Sequence, residues 1–90
     1  MVNRAIAYAS EALPDLDPDR LTHLMEDAAR FNRQAGITGV LLFDGQRFLQ
    51  YIEGPEDALK IAYGRILASS SHREIIELAR GPVGRRMFPY

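Results

Sequence analysis

Ninety residues, 47% of them apolar and 26% charged, suffice for one globular domain with a single modest core and exclude a disordered or low-complexity chain. The 11 basic side chains, ten of them Arg and scattered, nearly balance 12 acids to a net charge of −1, which leaves no electrostatic footprint for nucleic acid or an anionic membrane. Cysteine is absent, which removes disulfides, thiolate chemistry and Cys-based zinc sites, and the two histidines, His23 and His72, lack the i, i+3 or i+4 spacing of a helical metal pair. No apolar run approaches the roughly 20 residues of a membrane span, and the N-terminus MVNRAIAYAS has no adequate signal-peptide core. The expectation is a cytoplasmic protein.

Asn3 to Ser10 alternates small and larger apolar residues without a breaker and predicts a first, buried strand. Leu13 to Asp19 holds two prolines and three aspartates, and Asp17-Pro18 supplies an N-cap followed by proline at the first helical position. Leu21, Leu24, Met25, Ala28, Phe31 and Ala35 then follow helical spacing until Gly36, so a first helix is expected over about Pro18 to Ala35. Ile37 to Phe43 and Arg47 to Glu53 flank Asp44-Gly45 as two strands of a hairpin. Gly54-Pro55-Glu56-Asp57 opens a second helix that runs from about Pro55 to Ala68, ahead of Ser69-Ser70-Ser71. Glu74 to Ala79 alternates charged and apolar residues as a partly exposed strand broken by Gly81-Pro82, and Arg85 to Tyr90 is the candidate start of one more strand. The order βαββαβ predicts an α+β, ferredoxin-like fold, an antiparallel or mixed sheet with two helices packed on one face.

Function is sought in the polar side chains that this pattern turns inward, because a buried polar group without a partner costs about 1–3 kcal/mol. Asn32 lies on the apolar stripe of the first helix with Ala28, Met25 and Leu24, and Arg65 lies on that of the second with Ala58, Ile61 and Ala62. By the period of two, Tyr8 shares a strand face with Ile6 and Ser10, and Gln50 shares one with Phe48 and Ile52. If these are the helix-side faces, a phenol, a carboxamide, an amide and a guanidinium line one cleft with apolar walls, as a planar, heteroatom-rich ligand requires. The bland reading is a helix-capping Asn, a snorkelling Arg and a Tyr bonded to backbone; spacing alone leaves the ligand open. Glu53, Glu56 and Asp57 read as capping charges for the second helix. Tyr51 and Leu49 face the other side of the sheet, an apolar surface suited to a dimer, an effector domain or further helices.

The chain resembles BLUF domains, the sensors of blue light using FAD, over nearly its whole length. The match comprises Tyr8 with Ser10, Asn32, Gly36-Ile37-Thr38-Gly39, Phe48-Leu49-Gln50 with Glu53-Gly54, Arg65-Ile66 and His72. The resemblance implies a noncovalent flavin between the helices, FAD with FMN as the alternative. It also implies Gln50 between Tyr8 and the ring, Asn32 on the imide edge, Arg65 on a carbonyl and His72 among the binding residues. In such proteins light draws an electron and a proton from the tyrosine, and the glutamine side chain rotates or tautomerises. The chromophore returns to its oxidised form with altered hydrogen bonds, and a partner reads the change without any product being made. Phe31 stands where many members carry a second polar residue, and Ser69-Ser70-Ser71-His72 stands where the family often has Asp-x-Arg-His. At Arg85 to Tyr90 members usually continue into a fifth strand and C-terminal helices. The expectation is a single flavin-binding domain over residues 1–90, truncated before those elements, with a homo-oligomer or an effector protein as partner. The alternatives are a ferredoxin-like interaction domain with weak or lost flavin binding and, well behind it, an acylphosphatase-type enzyme, for which no arginine-bearing phosphate loop is found.

Overall fold

The computed structural model describes residues 3–13, 17–68 and 72–87. The elements are β1 (Asn3–Ala12), α1 (Pro18–Ala35), β2 (Thr38–Phe43), β3 (Arg47–Pro55), α2 (Glu56–Ala68) and β4 (His72–Val83). Among the described residues the strands form one sheet in the order β2-β3-β1-β4, and every neighbouring pair is antiparallel. This is the expected ferredoxin-like arrangement.

Local chemistry sets the bounds of α1. The Asp17 carboxylate accepts from the Asp19 amide at 2.9 Å, and Pro18 occupies the first turn, where its missing N–H costs no hydrogen bond. At the other end Gly36 takes the left-handed conformation (φ 76°), which a residue with a Cβ adopts only with strain, and the amide of Ile37 reaches the Asn32 carbonyl at 2.8 Å. The hairpin is set by Asp44, whose carboxylate accepts from the amides of Gln46 at 2.9 Å and Arg47 at 2.7 Å. Those amides hold its carboxyl below the usual range.

The core comprises Ile6, Ile37, Ile52, Leu59 and Ala62, with Phe31, Ala35, Ala58, Tyr63 and Ile66 packed against it. It lies where α2 crosses β1 and β3. By contrast α1 has no fully buried residue, so its apolar stripe borders a cleft rather than closing onto the sheet.

Three expectations change. The fourth strand runs through Gly81-Pro82 to Val83, with Pro82 opposite Arg4, because among the described residues β4 is an edge strand, where a residue that cannot donate to a ladder is tolerated. Its pairing with β1 shifts register between Ala7 and Tyr8 and again between Ala9 and Glu11, with Glu74 at positive φ (53°). Residues 85–87 form no strand, and 88–90 lie outside the described residues. Instead Arg86 crosses to the α1–β2 turn and donates to the Gly36 carbonyl at 2.7 Å and the Thr38 hydroxyl at 3.2 Å. Glu53 belongs to β3, not to the first turn of α2, which Glu56 and Asp57 occupy as expected. It is fully buried and accepts from the Tyr51 hydroxyl at 2.9 Å.

Gly39 holds β2 to β3. A Cβ there would lie 1.9 Å from the Tyr51 carbonyl oxygen, so any side chain forces the strands apart. Gly39→Ala is therefore expected to lower unfolding free energy by about 1–3 kcal/mol, read as a lower urea midpoint; an unchanged midpoint would show that the strands separate freely.

Candidate functional site

β1 and β3 pair so that Tyr8 lies directly opposite Gln50, on the face shared with Ile6, Ser10, Phe48 and Ile52. That face looks toward the helices, as the alternation predicts. Side chains opposite one another in an antiparallel pair are near neighbours, and here the Tyr8 hydroxyl donates to Gln50 Oε1. Tyr8 is only 4% exposed. Burial, and secondarily the nearby Tyr63, pushes its phenol well above the ordinary tyrosine range, so it stays protonated throughout the neutral range.

Above this pair is a cleft of about 230 Å³ between α1, α2 and the sheet. Leu24, Met25, Ala28 and Phe31 of α1, Leu41 and Phe48 of the hairpin, and Ala62 and Ile66 of α2 supply apolar walls. Tyr8, Asn32, Gln50 and Arg65 all line it, so four side chains from β1, α1, β3 and α2 converge as expected. Asn32 does not cap α1 through its side chain; Gly36 ends the helix, and the Asn32 backbone carbonyl accepts from the following amides. Arg65 places its guanidinium 4.1 Å from the centroid of the Phe31 ring, a cation–π contact that orients it along the cleft wall. Phe31, the position that departs from the common family pattern, thereby positions a polar group rather than supplying one. The His72 side chain and Ser69 to Ser71 lie outside the described residues.

The sequence pattern gives no reason to single out Tyr63, which sits beside the α2 stripe. Its ring centroid is 6.0 Å from that of Tyr8. Only the crossing of α2 over β1 brings them together, although an aromatic four residues after Leu59 was the available signal.

These residues suit a flavin. The apolar walls are of the kind a ring system packs against, and the amide, carboxamide and guanidinium carry donors and acceptors of the kind that a flavin's carbonyls and imide edge demand. Among the described residues no group of His, Cys, Asp and Glu could hold a metal ion, and no helix is long and apolar enough to cross a membrane.

Fold and site together define a flavin-binding domain with a buried phenol–carboxamide pair at the floor of its cleft. Residues 4–90 match the family model "BLUF: Sensors of blue-light using FAD", and the chain belongs to that family: it is a blue-light photoreceptor domain. It is 36% identical over 73 residues to the blue light- and temperature-regulated antirepressor BluF of Escherichia coli, covering 81% of this chain and 18% of that protein. It is 33% identical over 84 residues to the photoactivated adenylate cyclase subunit beta of Euglena gracilis, covering 93% of this chain and 10% of that one. The chain thus spans under a fifth of these relatives. Among solved structures, the dark state of the BLUF protein BlrB superposes with a TM-score of 0.92 at 31% identity, over 98% of this chain and 67% of the other. Klebsiella pneumoniae BlrP1 with FMN and cyclic diGMP superposes with 0.85 at 37% identity, over 93% and 23%.

Burial and the Glu53 carboxylate also raise the Tyr51 phenol to about 12. Both Tyr8 and Tyr51 have folded values above the unfolded 10.0, so the native state binds more protons in alkali. The stability they contribute is complete below pH about 10 and falls as the pH rises through 12. Urea midpoints between pH 9 and 12 should decline, and Tyr51→Phe should flatten the decline; a steeper decline in the variant would refute the assignment.

Proposed function

We propose that Tyr8 is the photo-oxidised donor and Gln50 the switch of this sensor, with Asn32 and Arg65 as the residues that hold the flavin. The observation that carries the reading is the hydrogen bond from the Tyr8 hydroxyl to Gln50 Oε1 at the cleft floor. The bound flavin supplies the photochemistry: it absorbs blue light and becomes a strong one-electron oxidant. Tyr8 is suited to give up an electron because its phenol is buried against the cleft and its proton already points at an acceptor. Gln50 is suited to answer because a carboxamide carries a donor and an acceptor on one carbon, so rotation or tautomerisation exchanges them without creating charge. Asn32 holds the imide edge through paired donor and acceptor, and Arg65, steadied by Phe31, reaches a carbonyl. His72 joins the binding set on the strength of the resemblance alone.

The domain turns over no substrate of its own and signals through a partner. The relatives named above are an antirepressor and a cyclase subunit, which favours an effector protein or a second copy as the reader. Leu42, Leu49 and Ile76 stand 56%, 44% and 62% exposed and give the outer sheet face the apolar character a reader needs. FAD is the cofactor assigned, FMN being the alternative; the setting is cytoplasmic, and residues 1–90 act as one domain.

Purified protein loaded with FAD is expected to show a structured flavin band that moves slightly to the red under blue light and returns in darkness. Tyr8→Phe should keep the bound chromophore and lose the shift; a surviving shift would overturn the role of Tyr8. Asn32→Ala should weaken flavin binding about five- to tenfold, the equivalent of roughly 1–1.4 kcal/mol for one hydrogen bond, measured by fluorescence titration of the flavin-free protein; an unchanged affinity would remove Asn32 from the site.

A further inference from the structure

Tyr63 of α2 presents its ring to the ring of Tyr8, with centroids 6.0 Å apart and planes tilted by 54°. Burial raises the Tyr63 phenol above its ordinary value, and the Glu77 carboxylate of β4 raises it further, by its charge and as an acceptor for the hydroxyl. Glu77 is in turn gripped by Arg80, which donates from Nε at 2.8 Å and also from a terminal nitrogen. The Arg80 guanidinium lies 5.7 Å from the Tyr63 ring centroid. Neither Tyr63 nor Glu77 lines the cleft, so holding the flavin does not account for them. The result is a second phenol in contact with the photoactive one, already supplied with its own proton acceptor.

We propose that Tyr63 is a secondary electron donor to Tyr8, with Glu77 taking its phenolic proton. The inference rests on the reading of Tyr8 as the photo-oxidised donor. Once Tyr8 has lost an electron to the photoexcited flavin and its proton to the Gln50 side, one electron passes from the Tyr63 ring to the oxidised Tyr8 ring. The Tyr63 O–H bond breaks and its proton moves to Glu77, while the proton that Tyr8 released returns to the Tyr8 oxygen. In sum, Tyr63 loses one electron and one proton, the photoexcited flavin gains the electron, Glu77 gains the proton, and Tyr8 and Gln50 end unchanged. An oxidised phenol is a strong acid, so a carboxylate beside it is placed to accept the proton. Arg80 fixes that carboxylate in place, and loss of the proton to it is what lets Tyr63 reduce the oxidised Tyr8. Tyr63 is second in line by position: Tyr8 lines the cleft, and Tyr63 packs against Tyr8 outside it.

The test is a tyrosyl radical signal by electron paramagnetic resonance, recorded per bound flavin on FAD-loaded protein frozen under continuous blue light with ferricyanide as the terminal electron acceptor. Tyr63→Phe keeps a ring against Tyr8 and removes only the oxidisable hydroxyl. The donor role predicts at least a tenfold loss of signal; a packing role predicts an undiminished signal, and that result would overturn the proposal. Glu77→Gln keeps a hydrogen-bond acceptor but is a far weaker base, and should lower the signal similarly; full signal there would exclude Glu77 as the proton acceptor. In flavin-free protein, near-ultraviolet titration of the phenols should show one midpoint moving down in Glu77→Gln, and no movement would remove the Tyr63–Glu77 contact from the argument. A Tyr8→Phe protein that still shifted under light would instead overturn the underlying reading of Tyr8, so the two failures are distinguishable.

Discussion

The structure depends on the register of β1 against β3. Tyr8 meets Gln50 because the two are cross-strand partners on the helix-side face, and a slip of one residue would turn both toward the opposite face. β3 is itself held on its other side by β2. The Asp44 turn sets the β2–β3 hairpin, and Gly39 lets β2 approach the Tyr51 backbone more closely than any side chain permits. Ile6 and Ile52, opposite one another, bury their side chains under α2. The Tyr8–Gln50 pair is thus a consequence of sheet pairing, and whatever loosens β3 loosens the floor of the cleft.

Electrostatics at the cleft floor follow from burial. Burial keeps the proton on the Tyr8 phenol and the Gln50 carboxamide is neutral by constitution, so neither strands a charge away from water. Arg65, the cation of the cleft, is exposed and lies over the Phe31 ring, which lowers the cost of placing a guanidinium beside an apolar wall. The apolar residue at position 31 and the basic residue at 65 are best understood together, as one device spanning α1 and α2.

The relatives show why such a domain is portable. An antirepressor and a cyclase subunit each contain a region similar to this chain as a small fraction of their length. The photochemical cleft lies on one face of the sheet and a partly apolar surface on the other, so the output can be exchanged while the cleft stays intact. β4 is the strand through which such exchange would be felt. It is an edge, its pairing is irregular opposite Tyr8 and between Ala9 and Glu11, and it carries the Glu77–Arg80 pair that reaches back to Tyr63.

Much of this was legible in the residues. Periodicity and caps placed α1 to the residue and the two hairpin strands almost so, since Asp17, Gly36 and Asp44 act through bonds to neighbours a few positions away. Alternation placed Tyr8 and Gln50 on one kind of face, and the stripes placed Asn32 and Arg65. The readings that changed depend on what lies across space. Pro82 is tolerated in β4 because that strand has no outer neighbour among the described residues, and Arg86 is drawn to the α1–β2 turn rather than into a ladder. Glu53 looked like a helix-start charge until β3 extended past it.

The sequence by itself determined the elements, their order and the chemistry available on each face, because those follow from local bonds and from the periods of helix and strand. Only the tertiary structure decided that Tyr8 donates to Gln50, that Phe31 stacks on Arg65 and that Tyr63 touches Tyr8. Each of these contacts joins residues more than 30 positions apart, where pairing register and helix crossing, not neighbouring residues, set the distance.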